Sequence, residues 1–324
     1  MNMKKPSVLI SVTSIFFGVL SLNAQSASTT INLEGNLYIM DDPLTGTELN
    51  PVKEGNLRIN GSLIISDVAE AQAVASGRNS IAVGKWVRAF GDGSIAIGMS
   101  GNEGYSTRAY GRHGIAIGEN ARSGDGTIES HYALSYGYHN TATGNHSIAM
   151  GQYSLAKTML SIAVGKYTSA TGHISTAIGY NAKASGYMGL AFGRETSATG
   201  ESAVALGHNN TAVGRGSVAL GYFSSAEAVH SVTLGYQVRT TSYGQIVLGT
   251  FNDPSAHPNH QGLYRDTDAL FVVGNGRDED SKSNALVMLK NGNTTVNGDL
   301  TANHMKVKNA SGGIPMGAFG RSSE

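Results

Sequence analysis

Residues able to do chemistry are sparse in this chain, and their spacing points away from catalysis. His257 and His260 stand three apart in a stretch that also holds Pro254 and Pro258, and they could supply two ligands to a metal. A protein-built metal centre needs a third donor or more. No convincing one lies nearby, so the pair reads as part of a polar loop. Cysteine is absent, which removes thiolate nucleophiles, soft metal sites and disulfides together. Also missing are a Gly-x-Ser-x-Gly elbow, a Walker loop and a His-Glu-x-x-His helix, the spacings that present a nucleophile, cradle phosphate or hold zinc. No catalytic residue, cofactor or metal is therefore expected, and the chain reads as a non-enzyme.

The side chains with most to offer a partner are aromatic. Trp86, Tyr138, Tyr153, Tyr167, Tyr180, Tyr222, Phe223 and Tyr236 occupy the first or second position after a recurring glycine, with Arg194, Glu195 and His208 interrupting the run. If those positions share one corner of a stacked structure, the rings form a ladder with rungs about 4.8 Å apart. Rings with a polar handle suit contact with protein or glycan. The same rings could instead stack on one another and fill a seam between chains.

What must position them is a repeat. Ser80-Ile81-Ala82-Val83-Gly84, Ser94-Ile95-Ala96-Ile97-Gly98 and Ser147-Ile148-Ala149-Met150-Gly151 share one pattern: small, large apolar, small, large apolar, glycine. Twelve copies occur, closing at glycines 84, 98, 118, 137, 151, 165, 179, 193, 207, 221, 235 and 249, and from Gly137 onward the spacing is always 14. Wider spacings around Gly118 hold insertions at Ser100 to Ser106 and Ser123 to Ser130. Seven residues after many closing glycines stands another, as at Gly91, Gly144, Gly172, Gly186, Gly200 and Gly214, with Ala two positions before it. Apolar residues alternate with period two, which is strand periodicity. Each 14 residues therefore predict one coil of two short strands turned at glycines able to take positive φ. Twelve stacked coils would span roughly 55–60 Å.

The usual rule, large apolar side chains inward, predicts that Ile81 and Val83 or Val218 and Leu220 line the interior, with mainly Ala facing them from the second strand. It leaves Ser80 and Ala82, Ser147 and Ala149, Ser161 and Ala163, Ser217 and Ala219 on an outward face of tiny side chains. Such a face would let another chain approach closely. A thin tube also buries little apolar area per residue, and both points favour oligomerisation.

Composition agrees with an extracellular solenoid. Of 324 residues 43 are Gly but only 6 are Pro, without a Gly-X-Y period, which excludes collagen. Charged residues make up 14% and the net charge is zero, which argues against a nucleic-acid partner. Lys4 and Lys5, an apolar run from Val8 to Leu20 and small residues from Ala24 to Ala27 have the order of a secretory signal peptide. The run is shorter than the roughly 20 residues of a membrane span.

The Ser-x-Ala-x-Gly pentapeptide at 14-residue spacing, with its intervening Ala-x-Gly, resembles the head repeat of YadA-type trimeric autotransporter adhesins from about Ala71 to Gly249. The resemblance implies an all-β fold, a left-handed parallel β-roll in a homotrimer that attaches to extracellular matrix protein, glycan or a cell surface. After Gly249 the period stops. Ala269 to Gly274 and Ala285 to Leu289 read as strand signals, followed by the turn Asn291-Gly292-Asn293 and Val296 to Leu300; the stretch is similar to the small β-modules of tail-fibre-like proteins, and the phrase Leu57 to Ile64 precedes the roll. The expected organisation is a signal peptide at 1–26, a capping segment at 27–70, the roll at 71–250, a loop at 251–262 and a C-terminal module at 263–324. The ending, Gly317 to Glu324, shows neither heptads nor an amphipathic strand series, so no integral membrane anchor is expected. The functional expectation is a secreted or surface-associated adhesin head, with a fibre- or matrix-like spacer as the alternative.

Overall fold

The computed structural model describes residues 73–99, 106–126, 131–256 and 259–303, with the backbone of three further strands, Ile10–Val12, Ile31–Leu33 and Leu63–Ile65. The expected signal peptide, most of the capping segment, residues 100–105 and 127–130 of the insertions, His257 and the C-terminal tail lie outside the described residues. The chain divides into two units, Met1–Asn60 and Gly61–Glu324. In the first, Ile10–Val12 pairs in parallel with Ile31–Leu33. The second is an all-β parallel roll.

Each coil contributes one long strand, such as Ile162–Lys166, and one short strand, such as Ser169–Ala170. The short strands stack into a 12-stranded sheet and the long strands into one of 16. Both ladders run in parallel and in register, so Gly151 faces Gly165, Gly165 faces Gly179 and Ala156 faces Ala170. At the beginning, Leu63–Ile65 pairs with Ile81 to Val83. At the far end the sheet does not stop at Gly249. The chain leaves after Thr250 and returns as Ala269–Asn275, whose Gly274 sits beside Gly249 in the phase of another long strand. Antiparallel strands Asn284–Leu289 and Thr294–Val296 then complete the sheet.

The interior differs from the sequence expectation in the long strands. Ser147, Ala149, Ser161, Ala163, Ser217 and Ala219 are fully buried, as is the alanine row of the short strands, including Ala142, Ala156, Ala170 and Ala184. Ile81, Val83, Val218 and Leu220 are only half-buried and lie on the outside of the coil. The two faces of every long strand are thus exchanged relative to the expectation, while the inward alanines of the short strands are as expected. The cause is the length of the coil. Tight corners hold two sheets too close for facing rows of branched side chains, which need about 10 Å between sheets. The long strands therefore turn Ala, Ser or Thr inward at nearly every rung, and a shift of one residue carries the larger side chains to the other face.

The glycines also divide their labour. The closing glycines take positive φ, for example 132° at Gly165 and 128° at Gly179. Gly172 and its equivalents do not; a Cβ there would run into the backbone carbonyl of the next coil, in this case that of Gly186. At both corners positive φ also falls on the second residue after the closing or middle position, whatever its type. Tyr153, Tyr167, Leu160 and Ile174 have φ of 54°, 58°, 57° and 58°. This left-handed conformation costs an L-residue about 1–2 kcal/mol. It is fixed by ladder bonds along the corners: Tyr167 N–H donates to the Gln152 carbonyl at 2.9 Å, and Ile174 N–H to that of Met159 at 3.0 Å.

Several polar groups inside the tube find partners within a coil or between coils, although Ser175 Oγ and Ser217 Oγ have none. Ser147 Oγ donates to Gly144 O at 2.6 Å. Asn140 Nδ2 donates to Gly151 O at 2.6 Å, while Asn140 Oδ1 accepts from Ser154 N at 2.8 Å. At the lower end, the buried Gln245 side chain accepts from the backbone of Thr241 and Ser242 at 2.8 and 3.1 Å.

Candidate functional site: an apolar sheet face and two aromatic corners

Because long-strand positions two and four before each next corner point outward, the parallel register turns them into columns. One runs Met150, Val164, Ile178, Phe192, Leu206, Leu220, Leu234 and Leu248; beside it run Ile148, Ile162, Thr176, Leu190 and their equivalents. In the single chain these side chains face outward, half-buried or exposed: Phe192 is 53% exposed, Tyr136 51% and Leu234 48%. Soluble proteins seldom leave so long a contiguous apolar strip open to water. The sequence expectation of large apolar side chains inward hides this face, because it assigns these residues to the core.

The predicted aromatic corner is real as geometry. The rings of Tyr153 and Tyr167 stack at 5.3 Å between centroids, Tyr138 meets Tyr153 edge-on at 5.5 Å, and Tyr167 meets Tyr180 at 6.1 Å. Arg194 continues the row over the Tyr180 ring at 5.8 Å. A second run joins His208 to Tyr222 at 4.5 Å, Tyr222 to Tyr236 at 5.4 Å and Tyr236 to Phe251 at 5.1 Å. Phe223 packs on Tyr222 at 4.7 Å. Trp86 takes the same left-handed corner position as Tyr153 and Tyr167, with φ of 56°, and the coils closing at Gly98 and Gly118 separate it from Tyr138. The stacked tyrosines remain roughly 40% exposed at their outer edges, for example Tyr153 at 41%.

A second corner, half a coil away, escaped the sequence reading. His113, Tyr132 and His146 stack at 5.0 and 4.9 Å, and the row continues through Leu160, Ile174 and Met188, all exposed. Its signal was available: these are the second residues after the middle glycine position, the counterpart of the first corner. Of the histidine pair considered for metal, only His260 belongs to the described residues. His260 Nδ1–H donates to Asp268 Oδ1 at 2.8 Å, and among the described residues no group of three His, Asp or Glu could hold a metal ion.

Comparison with known families agrees with this architecture. The profile of the YadA head domain repeat matches residues 71–85, 75–100, 132–154, 160–182, 170–196, 184–210, 198–224 and 212–237. No curated protein sequence matches the chain. No helix among the described residues is long and apolar enough to cross a membrane.

Proposed function

Starting from a roll whose residues 71–100, 132–154 and 160–237 match the YadA head repeat, we propose that the chain is the homotrimeric head of a secreted or surface-associated adhesin. The single observation that carries this reading is the open apolar face of the long strands. Exposing Phe192, Leu206, Leu220 and Leu234 to water forgoes about 25 cal/mol for every Å² that a partner could cover. Identical chains present identical columns with a common rung spacing, so a symmetric closed assembly covers all of them at once. Three chains is the number the family supplies.

The aromatic corner is proposed as a contact surface. Asn120, Asn181 and Asn209 occupy the same left-handed corner position as Tyr153 and Tyr167, and Asn tolerates that conformation better than a ring does. Stacking offsets part of the difference, at about 0.5–1.5 kcal/mol per pair. Exposed rings repeated along a rod, multiplied by three chains, favour avid attachment to a surface over tight binding of one small ligand.

The test has two stages. Light scattering on the purified protein is expected to give the mass of three chains; a monomer would refute the assembly. Beads carrying the wild type are then expected to adhere to immobilised matrix protein, glycan or cells, and beads carrying Tyr153→Asn with Tyr167→Asn to adhere less. Trimers that bind none of these surfaces but join an extracellular fibre would favour the spacer.

A further inference from the structure

At the end of the roll, three side chains from separate segments converge on a site that plays no part in the apolar face or the aromatic corners. Residues 259–261 fold back along the last corner: Tyr243 N–H donates to the His260 carbonyl at 2.9 Å and Val229 N–H to that of Gln261 at 2.9 Å. Across the hairpin Ala269 pairs with Leu289, and one residue beyond, Lys290 N–H donates to the Asp268 carbonyl at 3.0 Å. Asp268 and Lys290 are thereby neighbours on adjacent strands.

Their side chains are dry. Asp268 is 0% exposed and Lys290 1%, with Nζ 3.8 Å from Oδ2. That distance is contact without a hydrogen bond, whereas a charged pair with good geometry closes to about 2.7–2.9 Å. Neither Lys290 Nζ nor Asp268 Oδ2 has a hydrogen-bond partner. Oδ1 is held by His260 at 2.8 Å, and the ammonium group lies 4.9 Å from the Tyr264 ring centroid and 5.6 Å from that of Tyr243. A buried ion pair repays its desolvation only with excellent geometry and further hydrogen bonds, and these two atoms have neither.

We propose that Lys290 and Asp268 condense into an intramolecular side-chain amide that locks the end of the roll. Nζ, as the free amine, attacks Asp268 Cγ; the Nζ–Cγ bond forms and the Cγ–Oδ2 bond breaks. Oδ2 leaves as water, carrying the two protons that the original ammonium gives up, so an ion pair becomes a neutral amide plus one water. No oxidant or other reactant is consumed. His260, hydrogen-bonded to Oδ1 and itself 45% exposed, polarises the carboxyl and passes protons between the site and solvent. Burial pulls the Lys290 amine below the ordinary lysine range, which raises the share of nucleophilic free amine. The reaction removes both charges and both unpartnered atoms from the dry site. In a chain with no cysteine, it also supplies the covalent tie that disulfides give other secreted proteins.

Peptide mapping by mass spectrometry on the full chain tests this. The expected result is one cross-linked species joining the peptides that carry Asp268 and Lys290, lighter than their sum by one water. Asp268→Asn is expected to reach the same product mass by losing ammonia, and Lys290→Arg to yield only linear peptides. His260→Ala should slow the bond's appearance after refolding. Linear wild-type peptides in the folded protein would overturn the proposal, as would a lost water that maps to an imide elsewhere in the chain.

Discussion

At the scale of the residue, volume is the controlling variable, because the tube has no spare space. Ala163 is fully buried and stacked between Ala149 and Ala177 in the rungs on either side. Ala163→Leu forces a branched side chain between sheets set for methyl groups and is expected to cost about 1–3 kcal/mol or more, read as a fall in the unfolding midpoint by circular dichroism. Gly172→Ala is a sharper case. In an ordinary loop with negative φ, replacing Gly by Ala stabilises by about 0.4–1 kcal/mol. Here the new methyl meets the Gly186 carbonyl, so the sign is expected to reverse; an unchanged or raised midpoint would contradict the close approach of the coils. The sequence made these glycines conspicuous by their spacing but could not separate their roles. Gly165 needs its φ of 132°, Gly172 needs only the absence of a Cβ, and both are written as the same letter.

At the scale of the element, period two was legible and its phase was not. Alternation in Ser161-Ile162-Ala163-Val164-Gly165 specifies a strand with a small face and a large face, but nothing local says which turns inward. The burial rule picks the large face; it fails because the tight coil leaves its interior to small side chains such as Ser161 and Ala163. The corners show the same mixture. The first ladder could be placed from the spacing of its tyrosines, whereas the second is hidden because Tyr132, His146, Leu160 and Met188 differ in chemistry while sharing a position. Both corners carry rings or apolar groups in strained backbone, and this yields a prediction. Tyr153→Asn with Tyr167→Asn relieves the left-handed strain as it removes the 5.3 Å stack. The two effects are of similar size, about 1 kcal/mol each, so the unfolding midpoint is expected to stay near the wild-type value. Adhesion should drop. A large loss of stability with adhesion intact would assign the ladder to structure alone.

At the scale of the whole roll, the apolar columns and the interior obey different periods, and deletions separate them. The interior nearly repeats every seven residues, since Ser161-x-Ala163 of a long strand and Thr168-x-Ala170 of a short strand both face inward and are both small. The outer face repeats only every 14, because Ile162 and Val164 in the long strand give way to Ser169 in the short one. Removing residues 166–179 takes out one whole coil and joins Gly165 to Tyr180 in phase. This variant is expected to assemble as the wild type does, with a rod shorter by one rung of about 4.8 Å, measurable in solution scattering. Removing only 166–172 leaves the inward positions filled by Ser175 and Ala177, so each chain can still wind. Beyond the cut, however, every long-strand sequence falls into the short-strand sheet, and the apolar column crosses to the opposite side of the roll. No symmetric arrangement of three such chains can cover both halves of the divided column, so assembly is expected to be lost in light scattering. If the seven-residue deletion instead formed trimers as stable as the wild type, the long-strand face could not be the surface that joins the chains.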